Sequence, residues 1–275
     1  AMSIQYWNPD FMDLSPMFAS FQHFKQCFTH KHYWPEHNHL NCLQRLQRQP
    51  IVTPSGKMIC FVPPIRGKQC FEQQYESQIF LTGQVPTRTQ NWHDFFNALV
   101  WQIFPQAKSV LNQLHYRVQL IEPKNPINQR GALRDAATLF DESGVVVVSS
   151  EKRLIALLRD FEWKRLFWRE RTAVLSSMRF FLFGNGLFEK ALSPYTGMTG
   201  KGIIFNREQA FFEQTMLDQL QSIDQMLEPF LLQTLSSSSD LTPVPLLGYP
   251  GWTDENHHEA YYDNKQYFRN RPQSH

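Results

Sequence analysis

From Asn91 onward the apolar positions recur with a helical period. Trp92, Phe95, Phe96, Leu99, Val100, Ile103 and Phe104 form a broad stripe on one side of a predicted helix. Pro105 interrupts it, and 107–116 predicts a second helix. Nearer the start, Phe11, Leu14, Phe18, Phe21 and Phe24 keep helix-like spacing, and 40–46 repeats the pattern after a turn around Pro35. The period changes at Ile51. IVTPSGKMICFV predicts two short strands joined at Ser55-Gly56, with 74–81 as a third strand. Residues 124–130 predict a loop. Residues 137–149 read as strand, turn and strand, with Asp141-Glu142-Ser143-Gly144 as the turn and Val145–Val148 as a buried strand. Beyond them 151–160, 162–175 and 176–192 predict helices, and 194–202 a glycine-rich loop. Residues 207–235 predict a long amphipathic segment bent near Pro229. Ser236–Ser239 reads as a linker, and the Pro- and aromatic-rich remainder as a tail lying extended over the body.

These elements imply an α+β fold: a predominantly helical single unit with a small antiparallel β-sheet built from 51–81 and 137–149. One domain is expected over 1–275, comprising an N-terminal helical extension (1–50), a core (51–235) and an extended Pro-rich C-terminal tail (236–275). Composition agrees with a packed core, since hydrophobic residues make up 42% and charged residues 19%. The net charge of +2 calls for no polyanionic partner, so nucleic acid is not expected. The longest apolar segments, Phe95–Phe104 and Met178–Phe183, fall short of the roughly 18 residues a membrane span needs. The four cysteines, Cys27, Cys42, Cys60 and Cys70, are too few for a disulfide scaffold of this size. The opening AMSIQYWNPDF lacks a basic stretch followed by an apolar run, so a cytoplasmic setting is the expectation.

The string YESQIFLTGQVPTRTQNWHDFFNALVWQIFPQAKSVLNQLHYR, at 75–117, resembles the core of DUF3025, a bacterial family without a known activity. RDAATLFDESGVVVV, FFLFGNGLFEKAL, YTGMTGKG and PLLGYPGW…YYDN…YFR resemble its later blocks in the same order. The likeness runs over roughly 40–271 and leaves the first 40 residues outside. It implies one compact unit from a bacterial protein and supplies no reaction. The conspicuous polar positions it carries over are Arg88, Asn91, His93, Asp94, Asn97, Arg134, Asp135 and Asp141.

Two accounts of the NWHDFFN block stay open. In the first, His93 is a general base oriented by Asp94, with Asn97 one turn along and Arg88, Lys108 or Arg134 holding an anionic substrate. In the second, Asn91 is a helix N-cap and Asp94 completes a near capping box. Arg134, Asp135, Asp141 and Glu142 could meet the helix at a cleft, the three acidic residues supplying carboxylates for a divalent ion, but a turn at Asp141 and a solvated Arg134–Asp135 pair are the favoured account. Cys27, His30, His32, His37, His39 and Cys42 have zinc-binding residue types without the paired-cysteine spacing of a standard finger, so no metal site is assigned. The basic run 152–171, with Trp163 and Trp168, reads as a solvated helix more readily than as a nucleic-acid face. TGMTGKG lacks the spacing and the Ser/Thr of a phosphate loop, and there is no G-x-S-x-G elbow.

Two function classes follow. One is an enzyme of hydrolytic or phosphate-transfer type, using the His93–Asp94 pair with Arg88, Asn97, Lys108, Arg134, Asp135 and Asp141 as binding residues. The other is a non-catalytic binding or scaffold protein using aromatic and helical surfaces. No cofactor is indicated by any motif, and the expected partner is a small anionic ligand.

Overall fold

Asn91 has an extended backbone, and its side chain accepts a hydrogen bond from the Asp94 amide at 2.9 Å, which starts the central helix as an N-cap should. The computed structural model describes residues 5–47, 49–121 and 128–272. In chain order these form the short helices α1 (Lys25–Phe28) and α2 (His37–Cys42), then β1 (Cys60–Val62), α3 (Tyr75–Thr82) and β2 (Gln84–Pro86). Next come α4 (Trp92–Ile103), α5 (Pro105–Ile121), α6 (Asn128–Ser143), β3 (Gly144–Ser149), α7 (Lys152–Arg159) and α8 (Arg171–Ser177). The remainder contributes β4 (Met178–Leu182), α9 (Asn185–Ala191), β5 (Thr199–Asn206), α10 (Met216–Pro229) and β6 (Thr242–Pro245).

The stripe expected on α4 is buried as read, and Asn97, Trp101 and Gln102 are buried with it, so the helix is covered on nearly every side. A layer of N-terminal rings seals it: Trp7 stacks on Trp92 at 5.2 Å, while Phe18 and Phe21 stack on Phe96 at 5.6 and 6.2 Å. Pro105 restarts the chain as α5, which suits a residue with no amide hydrogen to leave unpaired. The free amides of Gln106 and Ala107 donate to the buried Asp224 carboxylate of α10 at 3.0 and 2.9 Å.

The fold is α+β, but its main sheet is mixed rather than antiparallel, and of the strands expected for it only Val145–Val148 takes part. Its order is β4-β3-β5-β6, with β3 antiparallel to β4 and parallel to β5. β3, with its run of four valines, is buried along its whole length at the centre, as its unbroken apolar character implies. Residues 74–81 form the helix α3, closed by Gly83 in the left-handed region at φ +77, where a side chain would also collide with the Met58 carbonyl. Residues 137–143 continue α6 without a turn, and 176–192 divide into helix, β4 and α9. The hairpin at Ser55-Gly56 survives as a single bridge between Val52 and Met58, with β1 and β2 pairing in parallel beyond it. Most of the loop expected at 124–130 lies outside the described residues; the chain is helical from Asn128.

Residues 236–272, expected as an outer tail, insert β6 into the sheet and bury Tyr249, Asn256, Tyr262, Tyr267 and Phe268. The basic and aromatic run before β4 holds them there. Trp163 Nε1 donates to the Arg269 carbonyl at 2.9 Å, Lys164 pairs with Asp263 at 2.8 Å, and Arg171 donates to the Asn256 carbonyl at 3.0 Å. Of the expected glycine-rich loop, 199–202 belongs to β5, and Gly200 sits where a Cβ would crowd Val145 and Leu246.

Candidate functional site

The site follows from how two elements meet at one end of the sheet. α6 runs into β3 with no intervening loop, so Asp141 and Glu142 occupy its last turn beside the start of that strand. β4 is antiparallel to β3 and ends alongside it, and both Phe183 and Gly184 donate their amides to the Gly144 carbonyl at 2.9 Å. The start of α9 is thereby pressed against the end of α6. Any side chain at 184 would strike the Glu142 carbonyl, and a Cβ at 186 would lie 3.0 Å from it. The Gly-Asn-Gly sequence at 184–186 is what permits that approach, and α4 lies across α9 to complete the corner.

At the surface of this corner stands His93. Its Nδ1 lies 3.2 Å from a Glu189 oxygen and its Nε2 3.4 Å from a Glu142 oxygen, so carboxylates face both ring nitrogens. The hydrogen bond to Glu142 pushes the imidazole pKa above its ordinary value; burial opposes this, and the charges of Glu142, Glu189 and Asp94 add to it. The ring is 29% exposed, which leaves it within reach of a molecule from solvent.

Beneath it lies a polar network inside the helical layer. Lys108 is 4% exposed, and its ammonium donates to Asp141 Oδ1 and to Asn97 Oδ1, both at 2.7 Å. The same Asn97 oxygen accepts from Asn185 Nδ2 at 3.0 Å, while Asn97 Nδ2 donates to the Tyr75 hydroxyl at 3.0 Å. The Lys108 ammonium also sits 5.8 Å from the centre of the Trp101 ring. Farther along α3 and α5, Glu76 accepts from Asn112 Nδ2 at 2.7 Å and faces His115 at 3.8 Å. Burial drives the Glu76 carboxyl up, opposed by His115 and Asn112. The side-chain oxygens of Asn185 and Asn112 are buried without a protein partner.

Of the residues singled out from sequence, Asn97, Lys108 and Asp141 meet directly, and His93 stands on the same α4 face one turn before Asn97. Asp94 does not orient the imidazole through a hydrogen bond. It clamps Arg88, accepting from that residue's backbone amide at 2.8 Å and from its guanidinium at 2.9 and 2.8 Å. Orientation of the ring falls instead to Glu189 and Glu142. Arg88 and Asn91 line a separate notch with Trp34, His37, Thr87 and Gln90, whose open volume of about 10 Å³ suits a single water molecule. Arg134 lies seven residues before Asp141, about 10 Å back along α6. Its Nε is 3.4 Å from Asp135 Oδ1, and that carboxylate is 72% exposed, a solvated pair away from the corner.

Sequence reasoning missed Glu189, Asn185 and Tyr75. The signal for the first two was present in FGNGLFEK: two glycines bracketing an asparagine just after an apolar run mark a close approach of backbones. The His- and Cys-rich segment serves local structure, with His37 Nε2 2.7 Å from the Thr87 carbonyl and His39 Nδ1 accepting from the Glu36 amide at 3.0 Å. Among the described residues, no three His, Cys, Asp or Glu side chains converge as a metal site would require. No described helix is long and apolar enough to cross a membrane.

No curated protein and no solved structure matches the chain. Residues 59–272, which contain the whole corner from Tyr75 to Glu189, match the family model described as protein of unknown function (DUF3025), and the chain belongs to that family.

Proposed function

We propose that the protein is an enzyme of hydrolytic or group-transfer type in which His93 moves the proton. The observation that carries this reading is the imidazole held between Glu142 and Glu189 while remaining partly open to solvent. A ring whose cationic form is favoured by two carboxylates is suited to donate a proton to a leaving group, and to act as a base after it has done so. The assignment differs from a His93–Asp94 pair in its partners and in the leading direction of transfer. Arg88, fixed by Asp94 and with its side chain 48% exposed, presents the nearby positive charge for a small anionic substrate. The buried Lys108, held by Asp141 and Asn97, is the second feature in support, because burying an ammonium is costly and such groups concentrate at functional sites. A scaffold working through its C-terminal aromatics is less well supported, since Tyr249, Tyr262, Tyr267 and Phe268 are turned into the core.

The test is a turnover screen of the purified chain against chromogenic phosphomonoesters, phosphodiesters, carboxylic esters and amides. One class should be turned over, and His93→Gln should lower that rate about 100-fold or more with an unchanged melting temperature. Turnover that survives His93→Gln, or no turnover of any class, overturns the proposal.

A further inference from the structure

A second hollow lies on the far strand of the sheet. β6 pairs with Thr199–Gly202 and goes no further, so among the described residues β5 from Ile203 onward has no strand neighbour on that side. Beside this half of β5 opens a hollow of about 420 Å³, within the range that small-molecule sites occupy. Ile204 and Asn206 form one wall, two residues apart and so on the same face of the strand. The other wall is α7, which contributes Lys152, Ile155, Ala156 and Arg159, a series that helical spacing lines up along one side.

The charges along that series are uneven. Its neighbouring cations are engaged: Arg153 binds Glu151 at 2.8 Å, and Arg271 binds Asp160 at 2.7 Å, occupying the one carboxylate on the rim. Lys152 and Arg159 make no side-chain hydrogen bond or ion pair among the described residues. They stand at the two ends of α7, seven residues and about 10 Å apart, with Ile155, Ala156 and Ile204 as apolar surface between them. Opposite charge at both ends and apolar material in the middle is the complement this surface calls for. We propose that the hollow binds an elongated small molecule with an apolar body and a carboxylate at each end. Arg159 would take one carboxylate in forked geometry and Lys152 the other as a point charge.

Calorimetric titration of the full chain with decanedioate, decanoate and butanedioate tests this. Decanedioate should bind at least five-fold more tightly than decanoate, which offers one charge, and than butanedioate, which is too short to reach both ends. Lys152→Gln and Arg159→Gln should each reduce decanedioate to the level of decanoate, and Ala156→Glu should weaken both. All three positions are exposed, so unchanged melting temperatures will separate lost binding from lost fold. Equal binding of decanedioate and decanoate overturns the proposal. So do binding of butanedioate as tight as that of decanedioate, indifference to the substitutions, or no binding of decanedioate.

Discussion

His93 and Asp224 are two titrating side chains whose surroundings act in opposite ways on the charged form. The imidazole gains partners for its cation, so its pKa is raised with the Glu142 hydrogen bond as the leading cause. The folded state then holds the proton to higher pH than the unfolded chain does. The resulting stabilisation is fully present below the ordinary histidine value near 6.5 and is lost as pH rises through the folded value. In an NMR titration His93 should titrate above 6.5, and Glu142→Gln should lower its pKa, with Glu189→Gln doing so to a smaller extent. A titration midpoint unmoved by either change would contradict the double clamp. Asp224 is pushed up to about 7 because burial penalises its charge, which the amides of Ala107 and Gln106 only partly offset. Between its ordinary value of 3.8 and about 7 the native carboxyl keeps a proton that the unfolded chain has released. Stability must therefore fall as pH rises across that interval and level off above it. Urea unfolding midpoints from pH 4 to 8 should show this fall, and Asp224→Asn should flatten it.

At the scale of elements, the corner depends on backbones that touch. Gly184→Ala forces the end of α6 away from the start of α9, and overpacking of this kind costs about 1–3 kcal/mol. It should lower the melting temperature and, by shifting Glu142, also lower the His93 pKa measured by NMR. A variant that is destabilised with an unchanged histidine titration would show that Glu142 is held independently of this contact. The elements differ in how legible they were. α4 could be read directly because one long stripe of rings admits no other period. YESQIFLT could not, because Tyr, Ile, Phe and Thr favour strands locally while the left-handed Gly83 cap and packing on α5 decide for helix. MRFFL presented the opposite problem: a short apolar run is the same in a buried helix or strand, and its pairing with β3 selected strand. Asp141-Glu142-Ser143-Gly144 carried turn residues, yet Gly144 is needed for its close approach to Phe140 as helix passes directly into strand. Much of the corner was therefore visible in sequence, in His93, Asn97, Lys108, Asp141 and Glu142. The Glu189 and Asn185 contributions depend on a junction of α6 and α9 that local patterns do not encode.

Over the whole molecule, the chain's far ends close the core. Asn256 is fully buried and works as a four-way clasp. Its Nδ2 donates to the Leu247 and Tyr249 carbonyls at 3.0 and 2.7 Å, and its Oδ1 accepts from the Gly251 amide and Arg171 at 3.1 and 3.2 Å. Asn256→Ala leaves the carbonyl of the buried Leu247 without its partner and removes three further bonds from the clasp, at a cost of about 1–3 kcal/mol. Early protease cleavage within 246–272 should follow, and a cleavage pattern unchanged from the parent would count against the clasp. The other end has a different consequence. Trp7, Phe11, Phe18 and Phe21 roof over Trp92, Phe95 and Phe96, yet they precede the stretch shared with the family. A fragment trimmed to the shared stretch would be born with a bare, greasy crown on its main helix. Relatives with a different leader must therefore bring their own cover for that spot or sit against a neighbour that provides it.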